Sequence, residues 1–136
     1  MRGFGSAVGA MVAAILWAAS AGHALADVPN LVGTWSGKND TIGDVFGLRS
    51  RDRTVHITEQ TDRRFRGYFT YEDGRKDFFG IIFPDDVTFA WVSRTSKGEV
   101  HGRILAPDHI AACYVEGGAE ATAGCSDLKR TGEKAQ

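Results

Sequence analysis

His56, His101 and His109 are the side chains in this chain best suited to acid–base work or metal binding. No two of them form a close ligand pair in sequence. A metal site needs three or four donors converging on one point. Period-2 alternation also puts each histidine on the strand face opposite the apolar one, so solvent-facing roles are expected, with no metal and no cofactor. Ser, His and Asp all occur, but no Gly-x-Ser-x-Gly elbow is present. The carboxylate pairs Asp85-Asp86 and Glu72-Asp73 lie in turn-forming stretches, where Asp is favoured for local backbone hydrogen bonds. The sequence therefore predicts no enzyme.

The arginines hold more interest. Arg49, Arg51 and Arg53 alternate, and Arg63, Arg64 and Arg66 cluster a short distance on. Together they would suit a basic rim that receives an anionic ligand or an acidic protein surface, because guanidinium binds carboxylate and phosphate in bidentate fashion. Asp52, Glu59 and Asp62 stand beside them, and ordinary surface ion pairs are the favoured expectation. The chain as a whole has 136 residues and a net charge of −1, with 43% hydrophobic and 24% charged residues. That balance suits one globular domain and excludes a disordered tail or a collagen-like repeat. It also argues against nucleic acid as a partner.

The N-terminal stretch has its own logic. Arg2 precedes a small-and-apolar run from Ala7 to Ala21, followed by Ala24-Leu25-Ala26. A basic start, an apolar centre and an A-x-A ending predict a secretory signal peptide, residues 1–26, cleaved after Ala26. The run is short for a membrane span of about 20 residues. The expected mature domain is residues 27–136, periplasmic or secreted, with no membrane insertion after cleavage. Cys113 and Cys125 both fall in that domain. Two cysteines in an exported chain are most simply a disulfide, worth about 3 kcal/mol for so short a loop.

From Leu31 onward, apolar residues alternate and turn signals interrupt them at short intervals. Eight strands are predicted: Leu31–Gly37, Arg53–Gln60, Arg64–Glu72, Lys76–Phe83, Val87–Arg94, Glu99–Leu105, His109–Val115 and Thr122–Arg130. Asp73-Gly74 is a two-residue hairpin signal. Pro84-Asp85 and Pro107-Asp108 initiate further turns. Tight turns make each strand antiparallel to its predecessor, giving a meander. The recurring apolar-x-Gly-x-apolar units centred on Gly67, Gly80 and Gly102 mark sharp curvature or close packing. Closure into a barrel removes both edges. The expected class is all-β, an eight-stranded antiparallel up-and-down barrel.

Alternation assigns Val55, Ile57, Phe65, Phe69, Val87, Phe89, Trp91, Ile110 and Tyr114 to the interior. Cys113 and Cys125 then staple the outer wall. The fourth strand is apolar on both faces. Its outward set, Phe79, Ile81 and Phe83, predicts an interface with a second copy or another protein. The stretch from Lys38 to Asp52 reads as one long loop, a candidate lid. The alternative is that Asp44–Arg49 extends the second strand.

Gly33-Thr34-Trp35 near the start and Leu128-Lys129-Arg130 near the end resemble the calycin barrels, the lipocalin and avidin group. The resemblance implies a structural plug of Gly33, Trp35 and Arg130, with the guanidinium stacked on the indole. The meander, the Gly-Thr-Trp start and Val87-Thr88-Phe89-Ala90-Trp91 are most similar to the avidin branch, whose fifth strand carries a ligand-facing tryptophan. The biotin-binding equipment is missing. Ser36-Gly37-Lys38 follows the first motif, only Trp35 and Trp91 remain after leader removal, and Val100-His101-Gly102-Arg103 stands where another tryptophan is expected. The expectation is an exported, non-catalytic barrel that binds a small, partly apolar molecule at its open end. Asn39, Tyr71, Phe89, Trp91 and Tyr114 would line or rim that cavity. The rival expectation is a protein–protein interaction module, a secreted inhibitor or envelope accessory, working through the outer wall.

Overall fold

The structure is a computed structural model that describes residues 27–72 and 74–132. The expected signal peptide, and Asp73 of the Asp73-Gly74 turn, lie outside the described residues. Eight strands follow one another: β1 (Gly33–Gly43), β2 (Gly47–Thr61), β3 (Arg64–Tyr71), β4 (Gly74–Ile82), β5 (Thr88–Ser93), β6 (Glu99–Ala106), β7 (His109–Glu116) and β8 (Thr122–Thr131). Each pairs antiparallel with the next, and β8 returns to pair with β1. The result is a closed meander barrel, as the alternation and tight turns require. Among the described residues there is no helix.

One expected element is corrected. Lys38–Asp52 is not a loop and supplies no lid. The β1–β2 ladder runs unbroken from Gly33↔Ile57 to Gly43↔Gly47. A tight turn at Asp44–Phe46 closes it, and Gly47 enters β2 with φ of 70°. The stretch reads as a loop because neither of its faces is apolar. Asp40, Ser50 and Asp52 face outward and are exposed, whereas Asn39, Thr41, Arg49 and Arg51 form a polar border on an open cavity inside the barrel. Hydrophobic periodicity fails wherever the inner face of a strand is itself wet.

One half of the barrel is filled. Trp35, Val55, Ile57, Phe65, Phe78, Ile82, Phe89, Ile110 and Leu128 form its buried core, and Leu31 closes it from the N-terminal segment. The Trp35 indole N–H donates to the Leu31 carbonyl at 2.9 Å. The Arg130 guanidinium lies 4.2 Å from the centre of the Trp35 ring. It also donates to the carbonyls of Val32, Asn30 and Pro107. The Gln60 side chain bonds the Leu31 N–H and the Pro29 carbonyl, at 2.8 and 2.9 Å. Gly33, at φ of 146°, leaves room for the arginine, since a Cβ there would sit 2.8 Å from its Nη1. This end of the barrel is sealed by its own chain.

Cys113 and Cys125 are directly cross-strand neighbours on β7 and β8, and they form a disulfide. Replacing both with Ala should lower stability by about 3 kcal/mol, the loop-closure value for so short a loop. Urea midpoints of the oxidised protein and the double variant would measure it.

A second local device sits in the β4–β5 turn. The Asp85 carboxylate accepts from the backbone N–H groups of Val87 and Thr88, at 3.0 and 2.8 Å. It also accepts from the Thr88 hydroxyl at 2.6 Å. These bonds, the Thr88 side chain first, lower its pKa from 3.8 to about 2. A folded-state pKa below the unfolded one stabilises at higher pH, and the benefit disappears on protonation. Asp85→Ala should therefore be less stable than the parent above pH 4 and converge with it as pH falls through about 2. Denaturant midpoints of the two proteins at pH 6 and pH 2 would check this.

On the outer wall, Phe79 and Val92 face each other across β4 and β5. They are 56% and 41% exposed, and Ile81 beside them is 48% exposed. Phe83 continues the stripe just beyond the end of β4 and is 38% exposed.

Candidate functional site

The other half of the barrel is hollow. A cavity of about 360 Å³ opens between the ends of the strands opposite the Trp35 plug. That size lies at the lower end of the range for small-molecule sites, about 300–1,000 Å³. Its deep wall is apolar. Trp91 is stacked on Phe78 and Phe89, at 4.6 and 5.4 Å between ring centres, and turns its remaining surface to the cavity with Phe69, Val100 and Ala112. Tyr114 and the more exposed Tyr71 line it as well.

Strand pairing brings these side chains to one place. Phe69 pairs with Lys76 and Trp91 with Val100. Val100 pairs in turn with Tyr114, and Ala112 with Ser126. Ser126 pairs with Asn39, which pairs with Arg51. A ring of inward residues thus runs around the barrel just above the core. Its polar arc contains a buried hydrogen bond of 2.7 Å from the Ser126 hydroxyl to the Asn39 Oδ1. On the far arc the Tyr114 hydroxyl donates to the Glu116 carboxylate. Burial first, and that bond second, raise the Tyr114 pKa.

Of the residues expected at the cavity, Asn39, Tyr71, Trp91 and Tyr114 all line it. Phe89 does not, which corrects that expectation. It shares the inward face with Trp91 but lies one layer deeper, fully buried and opposite Gly102. A Cβ on Gly102 would fall 2.1 Å from its ring, so Phe89 fills the barrel where that strand has no side chain.

The arginines divide by face. Outside the cavity, Arg63 meets Asp86 at 2.6 Å, Arg64 meets Asp62 at 3.4 Å and Arg66 meets Glu59 at 3.5 Å. The pairs with Asp62 and Glu59 are those anticipated from sequence, and Asp86 is a partner supplied by the β4–β5 turn. Arg49, Arg51 and Arg53 instead line the cavity, with Lys76 from β4. Arg51 reaches the exposed Glu72 at 3.3 Å. Among the described residues, Arg49 and Arg53 make no carboxylate pair. Their guanidinium groups lie over the Phe46 and Phe69 rings, at 4.2 and 4.8 Å. Burial pushes the Arg53 pKa down. The expected neutralisation by neighbouring acids is corrected for Arg49 and Arg53, and Asp52 pairs with Lys38 at 2.7 Å on the outside. A usable signal was present in their parity: Arg49, Arg51 and Arg53 continue the odd-numbered face that carries Val55 and Ile57.

The histidines lie elsewhere. His101 and His109 sit on the outer wall, 3.0 Å from Glu99 and 2.9 Å from Asp127. His56 stacks on Tyr68 at 4.6 Å and hydrogen-bonds the Thr34 hydroxyl at 3.2 Å.

No protein-family model matches the sequence, and no curated protein does. Among solved structures the chain is similar to the S-type phycobiliprotein lyase CPES from Guillardia theta. That alignment has 14% identity and a TM-score of 0.48, covering 76% of this chain and 90% of that one. It is also similar to a redesigned β-barrel, mFAP0, bound to DFHBI. The match has 16% identity and a TM-score of 0.45, covering 74% of this chain and 98% of that one. A further redesigned barrel, b11L5F_LGL, matches at 13% identity and a TM-score of 0.47, over 75% and 92% of the two chains.

Proposed function

We propose that this chain is an exported, non-catalytic barrel of the avidin-like calycin type that binds a small, partly apolar molecule at its open end. The observation that carries this reading is the hollow upper half, walled by Phe69, Trp91, Val100 and Tyr114, above a lower half sealed by Trp35 and Leu31. An eight-stranded barrel is just wide enough to fill completely or to hold one small ligand. This one fills only its lower half. The leader-like composition of residues 1–26 and the disulfide support export. The stacking of Arg130 on Trp35, beside Gly33-Thr34-Trp35, supports the avidin-like assignment.

Native and denaturing mass spectra of the protein purified from its exporting host test the proposal. The expected result is a chain beginning at Asp27, carrying one stoichiometric small-molecule adduct that is lost on denaturation. The second reading, an interaction module, rests on the exposed stripe of Phe79, Ile81 and Val92. An adduct-free dimer in the native spectrum would favour it over ligand binding.

A further inference from the structure

We propose that the molecule held in the cavity is an anion: an apolar body seated on Trp91 and Phe69, with an oxyanion group on the guanidinium of Arg53. The proposal rests on the cavity being a ligand site and adds the chemical class of the ligand. Four cationic side chains line the space, Arg49, Arg51, Arg53 and Lys76, against one carboxylate, Glu116. The chain as a whole carries a net charge of −1. The excess of positive charge is therefore local to the cavity.

The contrast between the two arginine groups gives that excess its meaning. Arg63, Arg64 and Arg66, outside, each have a carboxylate within ion-pair reach. Arg53 sits deeper than any of the cavity cations on its strand, above Val55, and its only close partner among the described residues is the face of Phe69. That ring accepts no N–H bond in the guanidinium plane, and no hydrogen-bond acceptor among the described residues engages the Arg53 fork, so its planar set of donors is left for a ligand. Water is being removed from that charge without a counter-charge replacing it, a standing cost that a bound anion would relieve. Donors to complete the oxyanion site are at hand. The Asn39 Oδ1 is occupied by the Ser126 hydroxyl, which leaves the Asn39 amide N–H groups for the cavity. Among the described residues the Lys76 ammonium donates to the Ser96 hydroxyl at 3.3 Å and lies 5.7 Å from the centre of the Tyr71 ring, with no carboxylate partner. Glu116, the one acid, is engaged by the Tyr114 hydroxyl on the opposite arc. Charge at one side and rings at the floor define an amphipathic anion: a carboxylate, sulfonate or phosphate on an aromatic or aliphatic body.

Two fluorescent probes with similar ring systems test this with the mature protein. One is 8-anilino-1-naphthalenesulfonate, which carries a sulfonate, and the other is the uncharged N-phenyl-1-naphthylamine. The sulfonate should bind with one-to-one stoichiometry and about tenfold or more tighter than the neutral amine. Arg53→Gln should remove most of that preference, weakening the sulfonate by several-fold more than the amine. Phe79→Ser, on the outer stripe, should change neither. Equal binding of both probes to the unmodified protein would overturn the anion proposal and leave the cavity reading standing. Binding of neither, or loss of both in Phe79→Ser, would remove the cavity reading and the proposal with it. The comparison on the unmodified protein decides the matter even if Arg53→Gln fails to fold.

Discussion

Gly67→Ala should be less stable than the parent by upwards of about 4 kcal/mol, a large part of the stability of an ordinary domain. Gly67 faces inward on β3, opposite Ile57 and next to the irregularity between Ile57 and Glu59 where β2 bends across it. A Cβ at this position would lie 2.0 Å from the His56 carbonyl oxygen and 2.9 Å from the Ile57 Cα. Overpacking usually costs about 1–3 kcal/mol because side chains can shift aside. Here the obstruction is the backbone of the neighbouring strand, which can move only by opening the ladder. The control is Gly117→Ala, where no atom lies within 4 Å of the added Cβ. It should be neutral or stabilising by about 0.5 kcal/mol through the unfolded chain. Urea unfolding of both variants checks the pair. Equal midpoints would mean that β2 does not press on Gly67.

Trp35→Ala should cost about 4 kcal/mol, within the range for deleting a fully buried aromatic side chain. The indole has no exposed surface, and three other groups depend on it. Leu31 loses the donor to its carbonyl, Arg130 loses the ring it stacks on, and the N-terminal segment loses one of its anchors beside Gln60 and Arg130. Trp35→Phe separates these contributions. It keeps most of the apolar volume and leaves the Leu31 carbonyl without its donor, so a smaller loss of about 1–3 kcal/mol is expected. Denaturant unfolding monitored by far-UV circular dichroism measures both variants. A Trp35→Ala protein as stable as the parent would show that the plug is dispensable.

These two positions also show how legible the fold was. The Gly-x-aromatic repeats and the Gly33-Thr34-Trp35 start are visible in the chain, and they mark the places where the barrel curves and where it ends. The strands with an apolar inner face, such as Val55-x-Ile57 and Phe89-x-Trp91, can be read from alternation alone. The upper parts of β1 and β2 cannot. Their inner faces carry Asn39, Thr41, Arg49 and Arg51, and a polar residue facing a cavity has the same local signature as one facing solvent.

The site was legible to the same degree. Asn39, Tyr71, Trp91 and Tyr114 share parity with the interior and do line the cavity. Phe89 shares it too, yet lies in the packed layer beneath. The arginines of β2 carried the opposite ambiguity. Acidic neighbours in sequence suggested surface pairs, but Asp52 points to the other face of the strand and joins Lys38.

By itself the sequence determined an all-β chain of eight consecutive antiparallel strands, the disulfide partners and the face to which most apolar side chains turn. These are local properties, set by period-2 alternation, turn residues and the presence of only two cysteines. How deep each inward side chain lies, so that Phe89 is packed while Trp91 borders the hollow, and that three arginines border it too, were decided by the tertiary structure alone. Depth along a barrel depends on how far each strand is staggered against its neighbours when the sheet closes. That stagger is a property of all eight pairings together, so no single stretch of sequence records it.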